Sequence, residues 1–169
     1  IFHHTIDFWI SALDSYSPAQ LLAKPSPTSW SIGQVYMHLI ENTDWFFDQV
    51  KFCISCNDNS TKEASPGGKY MLLKNEFPDE QLQGPPDNDF TQQPKSKKDI
   101  LQNLQRQKKE VIMLEEAIRS THFKGKTQQP GLQFFNAAEW FQFAEMHLRH
   151  HMRQKKRIDA FLETWEDKR

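Results

Sequence analysis

All nine prolines of this 169-residue chain fall outside four stretches of helical periodicity. A proline inside a helix removes a backbone donor and clashes with the preceding turn, so four long proline-free lengths with proline-bearing breaks constrain the fold strongly. The first stretch, Phe2 to about Tyr16, gives a broad apolar face of Phe2, Ile6, Phe8, Trp9, Ile10 and Leu13 and stops before Ser17-Pro18. The second runs from Ile32 to about Cys53, with Ile32, Val35, Tyr36, Leu39, Phe46, Phe47 and Val50 at steps of three and four. Ser31 followed by Gln34 forms a capping-box pattern at its start. The third follows Ser96, with Asp99 in the partner position, and ends near Thr121. The fourth opens at Phe134 or Asn136 and continues to about Trp165. Residues 55–95 between the second and third stretches show no sustained period and hold Pro66, Pro78, Pro85, Pro86 and Pro94. A connection this long is expected either to cross the length of the domain or to serve as a lid.

Composition narrows the function. The length suits one domain over residues 1–169, and a net charge of −1 supplies no global field for nucleic acid or an anionic membrane. Arg149, Arg153, Lys155, Lys156 and Arg157 cluster on the last stretch, but basic residues there also make an ordinary solvated face. No apolar run approaches a membrane span, and the opening IFHHTIDFWI lacks the features of a signal peptide, so a cytoplasmic location is expected. Cys53 and Cys56 form a C-x-x-C pair with no second thiol pair to complete a zinc site, which favours reduced structural thiols.

The segment HLRHHMRQ carries His147, His150 and His151. His147 and His151 stand one helical turn apart and interrupt the apolar seam of the last stretch, whereas His150 lies off their line. Two imidazoles at i and i+4 can converge on one ion, although hydrogen-bonded core histidines are the commoner case. His38, on the second stretch, could meet the pair across the core.

At these residues the chain resembles a known family. SWSIGQVYMHL together with NAAEWFQFAEMHLRHHMRQ is similar to the DinB/YfiT-like superfamily, in which a tryptophan-serine entry leads to a helix with one ligand histidine and the last helix carries H-x-x-x-H. The resemblance implies an all-α four-helix bundle with a long crossover between helices two and three, and a divalent ion, zinc or nickel first, held by His38, His147 and His151. The chain departs from the family pattern at Arg153, where many relatives carry glycine, and at His150. The resemblance also implies a metal-dependent hydrolase or thiol S-transferase, acting on a small molecule such as a low-molecular-weight thiol; the near-zero charge and the lack of an apolar span lead to the expectation of no nucleic-acid or membrane partner, and a homodimer is allowed.

Three neutral ligands leave the ion an open position for water or thiol. Glu41, one turn after His38, is the candidate general base, and Gln154 a candidate hydrogen-bond partner for a ligand ring. The competing reading is a non-catalytic metal-binding or stress-associated protein whose site is structural or vestigial.

Overall fold

The computed structural model describes residues 1–78 and 91–166. Four long helices dominate: α1 (Phe2–Leu13), α3 (Ile32–Cys53), α5 (Lys97–Ser120) and α6 (Ala137–Leu162). Two short helices, α2 (Pro18–Leu22) and α4 (Pro66–Lys74), and a hairpin of β1 (Lys126–Gln129) and β2 (Gln133–Asn136) complete the described secondary structure.

Local chemistry sets the helix ends. Ser31 and Gln34 close a reciprocal capping box on α3, as do Ser17 and Gln20 on α2, with Pro18 in the first turn. Ser96 Oγ accepts from Asp99 N to start α5. α1 ends at Leu13, three residues before the expected stop, because the chain must turn there to let Ser17 cap α2. α6 begins at Ala137, capped by Asn136 with Glu139, so Phe134 and Phe135 belong to the hairpin. The strands pair antiparallel, Lys126 opposite Asn136 and Gln129 opposite Gln133, around Gly131 at φ +88°.

The connection after α3 is more structured than its composition suggested. Ser65 caps α4, Asn75 closes it in the left-handed conformation, and Ser65 N donates to Leu132 O of the hairpin turn. The segment 79–90, which the expected lid includes, lies outside the described residues.

One buried apolar cluster draws on all four long helices. α3 packs chiefly on α6 and α5, while α1 packs on α5 and α6. Trp9, Tyr36, Phe47, Phe135 and Trp140 are the largest fully buried side chains, and each aromatic of this kind contributes on the order of 1.5–3 kcal/mol by leaving water. Their polar tips are satisfied. Tyr36 donates its hydroxyl to Trp9 O at 2.9 Å, and Trp9 Nε1 donates to Leu148 O at 3.2 Å, which links α3 to α6 through α1. Gly33 permits the close approach of α2, since a Cβ there would stand 2.4 Å from Leu21 O. Among the described residues no helix is long and apolar enough to cross a membrane.

Candidate metal centre

His38 is the seventh residue of α3, nearly two turns in, and His147 and His151 are placed mid-helix on α6, where the two helices pack together. His38 and His147 are buried and His151 is half-buried. Their rings converge: His147 Nε2 lies 3.2 Å from His38 Nε2 and 3.2 Å from His151 Nε2. The ligand-capable nitrogens of all three lie within 4.8 Å of one another. Nitrogens bound tetrahedrally at the usual zinc–histidine length are about 3.3–3.4 Å apart, so the two 3.2 Å contacts have close to the span of a coordination edge.

Proton counting gives an independent test of fit. A neutral imidazole presents at Nε2 either one proton or one lone pair, so His147 Nε2 cannot serve two ring nitrogens as a hydrogen-bond partner in the same sense. His151 Nδ1 lies 2.7 Å from Gln154 Oε1, which only accepts, so the His151 proton sits on Nδ1 and its Nε2 offers a lone pair. With His151 Nε2 a lone pair, a bare His147 Nε2 faces it lone pair to lone pair, and a protonated His147 Nε2 has one hydrogen for two ring nitrogens, so no neutral tautomer gives both contacts a hydrogen bond of their own. A cation amid the three nitrogens satisfies all of them, and the residues fit a metal ion.

Burial favours the neutral form that ligation needs. It pushes His38 down to about 4, with His150 adding repulsion, and His147 well below the usual range, with His151, His38 and His150 adding repulsion. For His151, burial and then His38 lower the value to about 3, against the hydrogen bond with Gln154, which raises it.

The surroundings are aromatic. Trp30 packs on His38 at 4.9 Å between ring centroids, and Phe46 on His147 at 5.4 Å. Phe77, from the connection after α4, covers Phe143 at 4.9 Å and approaches His150 at 5.2 Å. The half-buried His150 thus faces Phe77 and the flank of His151, apart from the Nε2 convergence. Glu41 is exposed on α3, and the side chain that reaches His38 from that helix is Asn42. Spacing could have found Asn42, because i+4 lies closer to the face of His38 than i+3 does.

The other candidates take structural places. Cys53 is buried with a free thiol that burial pushes up, and Cys56 is also free. Of the basic cluster, Arg149 pairs with Glu145, Arg153 donates to Phe77 O at 3.2 Å, and Lys155 pairs with Asp159 at 2.6 Å. Glu145, only 5% exposed, is a buried carboxylate that its apolar neighbours disguised in the sequence. His3 contacts Glu115 at 3.2 Å across α1 and α5.

Residues 1–154 match the family model of the DinB superfamily. No curated protein and no solved structure matches the chain.

Proposed function

The chain belongs to the DinB superfamily, and from that premise we propose that it is a metal-dependent enzyme that uses His38, His147 and His151 to hold a divalent ion, zinc or nickel, for hydrolysis or thiol transfer. The observation that carries this reading is the convergence of three ring nitrogens, two contacts at 3.2 Å, in a cluster too poor in protons to satisfy itself. We read the four long helices as a four-helix bundle, with the stretch between α3 and α5 as its long crossover.

When bound, an ion with three neutral protein ligands and an open position acidifies water or a small thiol. The chain supplies the rest. Gln154 accepts the His151 Nδ1 proton, which fixes that ring with its Nε2 lone pair toward the centre. Trp30, Phe46 and Phe77 make apolar walls that thin the water around the rings and strengthen electrostatic interactions there. The substrate is a small molecule, with a low-molecular-weight thiol preferred.

The enclosure of the cluster by aromatic rings favours a second reading, a structural ion in a protein without catalysis. Cobalt-loaded protein separates the two. A small thiol titrated in at pH 7 is expected to add a near-ultraviolet band in the wild type and none in His151→Ala. Spectral response to hydroxide or carboxylate ligands with none to thiols would move the assignment to hydrolysis. No response to any added ligand would leave the structural reading.

A further inference from the structure

The three histidines differ in what stands behind them. His151 Nδ1 faces an acceptor, Gln154 Oε1, at 2.7 Å, which is what a ligand ring requires. His38 Nδ1 faces a donor. Asn42 Nδ2 lies 3.1 Å from it and 2.9 Å from the His38 carbonyl oxygen. The second contact fixes the orientation of the amide, because an amide oxygen at that distance from a carbonyl oxygen would be repelled. Both hydrogens of the amide group are thus directed at acceptors, and His38 Nδ1 accepts. A neutral ring that accepts at Nδ1 carries its proton on Nε2, the nitrogen aimed at His147. Holding a cation at Nε2 requires that proton on Nδ1, where it would meet the hydrogens of Asn42.

We propose that Asn42 sets the metal affinity of the site by holding His38 in the tautomer that opposes ligation, so that uptake of the ion requires the Asn42 amide to leave His38 Nδ1. The inference rests on the reading that the three histidines hold an ion. Its consequence is a graded site: His151 is preset as a ligand, and His38 is the ligand whose engagement costs most. Asn42 is half-buried, so its amide has solvent to turn toward. The tautomer has a direct signature. In chelator-treated protein, long-range proton–nitrogen NMR should show the His38 proton on Nε2 and the His151 proton on Nδ1. Titrating zinc should move the His38 proton to Nδ1 and shift the Asn42 side-chain amide resonances.

Zinc affinity, measured by competition with a chromophoric chelator on variants that melt like the wild type, supplies the second arm. Asn42→Ala removes one opposing hydrogen bond and should tighten binding by about two- to tenfold. Asn42→Asp turns the opposing donor into an acceptor and should tighten it by about 10–100-fold. The Asn42→Asp gain should vanish when His38→Ala is added. A gain of equal size in that background would mark a general charge effect and overturn the proposal. So would an Asn42→Ala variant that binds zinc as the wild type does, or more weakly, or a His38 proton found on Nδ1 before zinc is added. These outcomes are separate from failure of the metal site itself, in which the wild type would take up no zinc through the three histidines.

Discussion

α6 carries two buried polar clusters two residues apart, and they are built on opposite rules. At Glu145 every demand is met: Thr5 Oγ1 donates at 2.6 Å, Arg149 Nε reaches both carboxylate oxygens at 2.8 and 2.9 Å, and Arg149 Nη2 continues to Asn75 O at 2.8 Å. The result ties α1, α6 and the end of α4 together. At His147 the demand is left open, with two nitrogen contacts at Nε2 and no partner among the described residues at Nδ1. Buried polar atoms left so cost stability; an ion would answer the crowded Nε2 contacts and would leave the Nδ1 demand as it is. Polar satisfaction thus separates a brace from a candidate binding site on one helix, and burial alone would have grouped them.

The comparison breaks first on metal content. The variant with His38, His147 and His151 all changed to alanine should fall from about one zinc per chain to none, read by elemental analysis of protein purified without a metal-affinity column. Retention of wild-type content would place the ion elsewhere.

Acid should sharpen the contrast next. The folded values of His38 and His151 lie at about 4 and about 3, below the ordinary 6.5, so the unfolded chain binds protons first as pH falls. Their contribution to metal-free stability is fully present above about 6.5 and is lost as pH drops toward 4 and then 3. The loss per ring is at most about 1.4 kcal/mol per pH unit. Urea unfolding at stepped pH should show this slope in the chelator-treated wild type and a shallower one in the triple-alanine variant.

On the brace, Glu145→Ala leaves the Arg149 guanidinium and the Thr5 hydroxyl without their shared partner. A cost of about 3 kcal/mol is expected, at the lower end for a broken buried pair because Arg149 is partly exposed. Zinc bound per folded chain should stay as in the wild type, and a parallel loss of zinc would mean that the two clusters are one.

Smaller effects test the edges. Gln154→Ala releases His151 Nδ1 and should weaken zinc about tenfold by chelator competition. His150→Ala should leave affinity within about twofold, since its ring faces Phe77.

Much of this architecture was legible in side-chain spacing. Ser31 with Gln34 marks the start of α3 to the residue, and the i, i+4 step of His147 and His151 with His38 on a facing helix identifies the rings that converge. The hairpin was not legible, because KTQQ has no alternation and four-residue strands carry little periodic signal. α4 hid behind Pro66, Gly67 and Gly68, which mark a break until Ser65 is seen to cap them. Glu145 was lost inside an apolar run, since its partners Thr5 and Arg149 are assembled only by tertiary packing. Asn42 carries no charge to mark it beside Glu41, and only its i+4 angle from His38 points to the contact.

The hydrogen-bonded path from Tyr36 through Trp9 to Leu148 has a metrological role. Tyr36 stands two residues before His38 and Leu148 one after His147, so an indole on a third helix gauges the offset between the two histidine-bearing helices. Sliding a helix by one residue moves its side chains about 1.5 Å, several times the roughly 0.2 Å tolerance of a metal–nitrogen bond. An ion held by the three histidines would thus have its nitrogen spacing gauged by a tryptophan whose indole N–H meets Leu148 O, and a shorter ring at position 9 would loosen that offset while leaving all three imidazoles in place.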